Sequence, residues 1–422
     1  YTHTRDRAWT LATAAHNTVV VDLANQFAGR QEKSTLGRLR VFDTSNDRCQ
    51  IVSVDNPQVY PQVTSVYRRT LAFVAVPGAP GYVVDLFEVE GGKQHDYFLH
   101  GSADEPQTLD TRLDGAQAAM APLSTLLPEG YQFARARNEG ECGKVGETGY
   151  AYGYLEALQE QTVAAPGIAT VTYSSSSGEP QLRGYLATSP GDRLIVGQDP
   201  AVRGAGEDDS KLDTRRRQFC MLRRSGGKSV FVSVLEPIAG APAIVGVRAL
   251  QLRGADIALE VELTGRRDLV LLGAHNAAGE WQGRPVSATA ELAVVRAAST
   301  VDISVLAGSV EWGGMALKVE ADAQTHDLLA VDRQTNSLLV SGHINATPGS
   351  IVLLDHAGQR VSPYNVVSSA PEGDNTRVTV AEDPGFSWDA EKKTATFEYL
   401  PRISYTGPHT LSLAPVAHLS AD

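Results

Sequence analysis

The chain has 422 residues, 42% hydrophobic and 20% charged, with a formal net charge of -12. That length calls for two or three domains, and that charge argues against a general nucleic-acid binder, which needs a basic face to displace counterions. No apolar run approaches the roughly 20 residues of a membrane-crossing helix, so no membrane span is expected.

The sequence opens YTHTRDRAWTLATAAHNTVVVD, with the triplet His16-Asn17-Thr18 directly before three β-branched residues, Val19 to Val21. This predicts a buried strand with polar groups at its entrance. A His in that place can be a metal ligand, a catalytic imidazole or a satisfied core residue. Tyr1, His3, Arg5, Arg7 and His16-Asn17 gather phenol, imidazole and guanidinium groups into one short segment.

Further along, VTSVYRRTLAFVAV (63–76) and GYVVDLFEVE (81–90) predict strands, and GGKQHDYFLHG continues into another. The Gly91-Gly92 pair predicts a hairpin between the last two. Period-2 alternation places His95 and Tyr97 on one face and His100 on the other. Asp85, His95, Tyr97 and His100 are therefore candidates for cross-strand polar pairs that organise the sheet. The stretch Ala116–Leu127 is the one place where a helical turn or two is expected.

The strand pattern persists through 167–175, 229–237, 256–263, 268–273 and 350–355, broken by Gly, Pro, Asn and Asp. The expected fold is all-β: stacked antiparallel sheets in a large β-sandwich, followed by smaller β-sandwich modules. Turn composition places units at 1–242, 243–325 and 326–422. Cys49, Cys142 and Cys220 lack any CxxC spacing and read as small buried hydrophobes, with pairing of two of them left open. There is no GxSxG, P-loop, HExxH or dinucleotide fingerprint. Asp43, Ser45 and Asp47 start like a calcium loop but lack its Gly and closing Glu.

HNTVVVD, then YRRTLAFV, YVVDLFEV and HDYFLH, in that order over roughly residues 1–240, resemble the C-terminal β-domain of the heparinase II/III-like polysaccharide lyases. TRRRQFCMLRRSGGKSVFVSVLEP suits that family's later strands. The resemblance implies β-elimination on an acidic, uronic-acid polysaccharide such as a glycosaminoglycan or alginate, in a periplasmic or secreted enzyme. It implies His16 as a zinc ligand, Tyr1 as a catalytic residue facing substrate, and Arg5 and Asn17 as substrate-binding residues. The zinc would be shared with residues upstream, because the chain has no HxHxD stretch and no upstream Asp. The family's N-terminal (α/α) toroid, which carries most of the cleft, is also missing. The chain is therefore expected to be the C-terminal part of a longer lyase, paired with that toroid and inactive alone.

The competing reading is a non-catalytic glycan-binding or scaffolding β-sandwich module. It requires exposed aromatic platforms, for which Trp281, Trp312, Trp388 and Tyr364 are the candidates. A third reading, an adhesin or cell-wall structural protein, would call for repeats that the sequence lacks.

Overall fold

The computed structural model describes residues 7–27, 37–136, 144, 146–205, 214–319, 324–399 and 402–421. The fold is nearly all β, built of stacked antiparallel sheets. By packing, the chain divides into two compact units. The first holds the described residues up to 27 with Pro57–Arg69 and Val76–Ala249; the second holds those from 37 to Asn56 with Thr70–Ala75 and those from Leu250 on.

The first unit is a two-layer sandwich. One sheet runs Val19–Val21, Gln94–His100, Arg216–Ser225, Arg193–Pro200, Glu156–Thr162 and Ala121–Pro122. In the other, Tyr82–Gly91 is followed by Lys228–Pro237, Pro180–Thr188, Gly167–Ser175, Gln107–Leu113 and Ala116–Gln117. Their facing sides interdigitate Val19, Val21, Phe87, Tyr97, Val171, Tyr173, Leu222 and Phe231 into one core. These are the alternate, β-branched and aromatic positions of each strand, as a face buried on one side requires. The outer side of the first sheet is sealed by Trp9, Tyr150, Tyr152 and Tyr154, which pack on Phe98, Phe219 and Met221.

Gly91 and Gly92 do not close a hairpin. Tyr82–Gly91 and Gln94–His100 lie in different sheets, and the glycine pair carries the chain from one layer to the other. Both glycines have positive φ, and a Cβ on Gly91 would come within 1.9 Å of the Val63 carbonyl oxygen. Alternation looks the same in a hairpin and in a layer crossing, because either way successive side chains of both strands point to opposite faces. The expected helical turn in 116–127 is also replaced, by two short strands, Ala116–Gln117 and Ala121–Pro122. Of the cysteines, Cys49 and Cys220 are buried and unpaired, and burial pushes their thiols up to about 11 and about 12; Cys142 lies outside the described residues.

In the second unit, long strands from Arg253 to Val319 form a sheet whose edge is extended by Val416–Ala421, antiparallel to Val301–Trp312. The hairpin Arg38–Asp43 and Cys49–Asp55 belongs to this unit. Arg40 makes a bidentate pair with Glu291 at 2.8 Å, and Asp43 accepts from His418 Nε2 at 2.6 Å. Six further strands, from His326–Asp332 to His409–Leu413, close into a barrel, with a three-stranded sheet (Phe386–Asp389, Thr394–Phe397, Ile403–Thr406) packed on it. Trp281, Trp312 and Tyr364 are core residues and Trp388 is half-buried, its indole donating to the Leu329 carbonyl. The four aromatics are no exposed platform, which removes the feature that the binding-module reading required.

Candidate functional site

Between the short helical turns Arg7–Thr10 and Thr13–Ala15 and the strand at Val19, the chain passes over the end of the first sheet. Every link of that passage is tied down. The Thr13 amide donates to Asn25 Oδ1 at 2.7 Å and the Gln26 amide to Thr13 Oγ1 at 2.7 Å. Asn17 Oδ1 accepts from the His100 amide at 2.7 Å, and Arg69 donates to the Asn17 carbonyl at 2.8 Å. Thr18 meets the Tyr67 hydroxyl at 2.9 Å. The His16-Asn17-Thr18 triplet is thus a fixed rim with its first two side chains exposed.

His16 Nε2 lies 3.2 Å from the Thr10 carbonyl. A carbonyl only accepts, so Nε2 carries the proton and Nδ1 keeps its lone pair. Partial desolvation of the ring lowers its pKa; the Thr10 bond opposes this and the Arg217 charge adds to it. The imidazole is therefore neutral near pH 7 and able to accept a proton.

Arg217 is placed by the sheet register. Asp199, fully buried and directly opposite it on the next strand, accepts from Arg217 Nε at 2.6 Å and from His100 Nδ1 at 2.8 Å. Arg217 also donates to the Ala15 carbonyl at 2.8 Å, which fastens the rim to the sheet. His16, Arg217 and Arg203 line a surface pocket of about 100 Å³ with Trp9, Pro200 and Val202. Among the described residues, Arg203 makes an exposed pair with Asp104 at 3.1 Å, a contact worth little in water and readily exchanged for a ligand anion. In an acidic chain, this small pocket combines two guanidiniums, a neutral imidazole and an apolar wall. It suits a small anionic group such as a carboxylate or sulfate.

The sequence candidates fall in three groups. His16 and Asn17 sit together on the rim, while Tyr1 and Arg5 lie outside the described residues. Asp85, His95, Tyr97 and His100 are all buried. Asp85 takes a bidentate pair from Arg69 at 2.9 and 2.7 Å and the Tyr97 hydroxyl at 2.8 Å, across the sandwich core. His95 is bonded to Ser229 and to the Gly91 carbonyl, both at 2.7 Å. Tyr97→Ala should cost about 2–4 kcal/mol, since it removes a buried ring stacked on Phe231 and one of the donors to Asp85. Denaturant titration reads this directly, and an unchanged midpoint would contradict it.

Arg203, Arg217, Asp199 and Trp9 were not singled out by sequence. The available signal was the run Arg215-Arg216-Arg217, unusual in so acidic a chain and set at the mouth of a strand.

Among the described residues, no group of three or more His, Cys, Asp or Glu could hold a metal ion. His16 offers one nitrogen and no companion donor, so the described residues do not make a zinc site by themselves. The purified chain should hold well under one zinc per molecule after dialysis. Stoichiometric zinc by elemental analysis, lost on His16→Ala, would reveal ligands that the described residues lack.

No family model matches the chain, and no curated protein matches it. Among solved structures it is similar to the heparan sulfate lyase HepC from Pedobacter heparinus, at 14% identity and a TM-score of 0.32. The alignment covers 64% of this chain and 32% of that one, so the chain spans about a third of that lyase's length.

Proposed function

We propose that the chain is the β-sheet portion of a polysaccharide lyase that cleaves an acidic, uronic-acid polysaccharide by β-elimination in the periplasm or outside the cell. The observation that carries this reading is the convergence of His16, Arg203 and Arg217 on one fixed rim pocket. The ordered run of HNTVVVD, YRRTLAFV, YVVDLFEV and HDYFLH supports it.

In such an elimination a base removes the proton on the carbon bearing the uronate carboxyl. The bond to the glycosidic oxygen on the adjacent carbon breaks, a carbon–carbon double bond forms, and an acid protonates the departing oxygen. The carboxylate must be neutralised for that proton to become acidic enough. Arg203 and Arg217 supply positive charge for a sugar carboxylate, and the neutral imidazole of His16 supplies a proton acceptor beside it. Asn17 would bind a sugar hydroxyl. Tyr1 as a catalytic residue and Arg5 as a substrate-binding residue rest on the family resemblance alone, since both lie outside the described residues. A helical toroid of the same protein would provide the remaining proton-transfer group and the opposite wall of the cleft.

The test follows the absorbance of the unsaturated uronate on a panel of acidic glycans. Residues 1–422 alone should be silent and the complete protein active, with His16→Ala and Arg217→Ala lowering its turnover. Robust product from the 422 residues alone would refute the division of labour. Silence of the complete protein on every uronan would favour a non-catalytic binding module.

A further inference from the structure

The outer face of the second sheet of the first unit is not covered like that of the first. It is the floor of a groove of about 820 Å³, well within the range of ligand sites. The floor is set by register. Thr170 lies between Arg112 and Tyr185 on the neighbouring strands, and Thr172 between Asp110 and Arg183. Because Ala169, Val171 and Tyr173 point into the core, Ile168, Thr170, Thr172 and Ser174 must point out, along about 20 Å of strand. One wall is Val245–Ala249, with Arg248 among its residues. That wall is anchored by Glu236, a buried carboxylate that accepts from the amides of Ala243 and Ile244 at 2.6 and 2.8 Å.

The lining is specific in its chemistry. It offers a line of hydroxyls flanked on both sides by guanidiniums. Its two carboxylates have work of their own. Asp114 caps the Ile168 amide at 2.8 Å, and Asp110 pairs with Arg112 at 3.0 Å. That pair is about half-exposed on both sides and so is easily exchanged for a ligand anion. Arg183 reaches the Tyr185 hydroxyl at 3.4 Å, a long bond that leaves most of its donors for other acceptors.

We propose that this groove binds an acidic oligosaccharide lengthwise along Gly167–Ser175. Its hydroxyls would be met by Thr170, Thr172 and Ser174, and its carboxylates or sulfates by Arg112 and Arg183. The groove shares no residue with the rim around His16, and the inference does not depend on any lyase activity.

The experiment measures binding of fluorescently labelled hexasaccharides of alginate and chondroitin sulfate, and of neutral cellohexaose, to the full chain. An acidic hexasaccharide should bind, and the neutral one should bind at least tenfold more weakly. Arg112→Ala, at an exposed position that folding tolerates, and Arg112→Ala/Arg183→Ala should weaken acidic binding progressively, the double variant at least tenfold. Lys392→Ala, which removes an exposed cation of the second unit, should leave it unchanged. Hydrogen exchange in Gln107–Leu113 and Gly167–Ser175 should slow on binding. The proposal is overturned if no acidic hexasaccharide binds, if the neutral one binds equally, or if affinity and exchange are indifferent to the arginine substitutions. A loss caused by Lys392→Ala alone would also overturn it, by moving the ligand away from the groove.

Discussion

Asp96→Ala should destabilise the first unit by about 3–5 kcal/mol, the range for removing one partner of a buried ion pair. Asp96 is fully buried and receives Arg223 in bidentate fashion, Nε at 2.7 Å and Nη2 at 2.8 Å, with the Tyr152 hydroxyl as a third donor. Arg223 is only 7% exposed, so losing the carboxylate strands a positive charge with little access to water. The Tyr152 ring beneath it, 5.7 Å away, offers partial compensation at best. Asp96→Asn keeps an acceptor and should cost less. Hydrogen exchange locates the effect: protection should collapse in Gln94–His100 and Arg216–Ser225, while Arg266–Trp281 in the second unit keeps its own. Equal protection in wild type and Asp96→Ala would refute the assignment.

The second large effect is on pH. His356 and His409 face each other on adjacent strands of the barrel, Nδ1 to Nδ1 at 3.0 Å, within an aromatic enclosure of Phe386, Phe397, Tyr405 and Trp388. One ring must donate and the other accept, so the acceptor is neutral, and the lowered pKa of both rings makes the pair neutral near pH 7. Burial, then the charges of His409 and Arg360, pushes His356 down to about 3, and burial lowers His409 as well. The folded values lie below the ordinary 6.5, so the unfolded chain takes up the protons first. Stability from these groups is complete above pH 6.5 and is lost as pH falls, for His356 down to about 3. At about 1.4 kcal/mol per pH unit per proton, His356 alone removes about 2 kcal/mol between pH 6.5 and 5, mostly above the carboxylate range. Denaturation of the barrel, read by exchange in Ile351–His356 and His409–Leu413, should show that slope. His356→Phe should flatten it, and coincident profiles would show that the pair does not titrate as described.

Much of the fold is legible in the sequence because β-branched and aromatic runs favour strands and successive side chains of a strand point to opposite faces. Val19–Val21 and Gln94–His100 are strands, and His95 and Tyr97 share a face opposite His100, as period 2 requires. What alternation does not encode is which strand lies beside which. The Gly91-Gly92 crossing reads as a hairpin for that reason. The Asp199–Arg217–His100 cluster is invisible for the same reason: its members are 18 and 99 positions from Asp199 and meet only through sheet register. The exposed His16-Asn17 rim was readable locally. Its cationic partners were not, since Arg203 reaches it from the short helical turn Val202–Ala205 and Arg217 from the strand Arg216–Ser225, both far from His16 in sequence.

The hairpin Arg38–Asp55 has a consequence for how the molecule is made. Two of its side-chain partners lie far along the chain: Glu291 lies 251 positions after Arg40, and His418 lies 375 positions after Asp43. At about 5–20 residues per second, a ribosome leaves Asp43 waiting roughly 20–75 s before its imidazole partner has been synthesised. Throughout that interval the outer edge of Arg38–Asp43 stands unpaired, while Cys49–Asp55 gains the strand Thr64–Val74 soon after synthesis, and that one edge is a template for pairing with neighbouring nascent chains. Yield in a cell should therefore respond to translation speed and to holding chaperones more than to the final stability of the second unit.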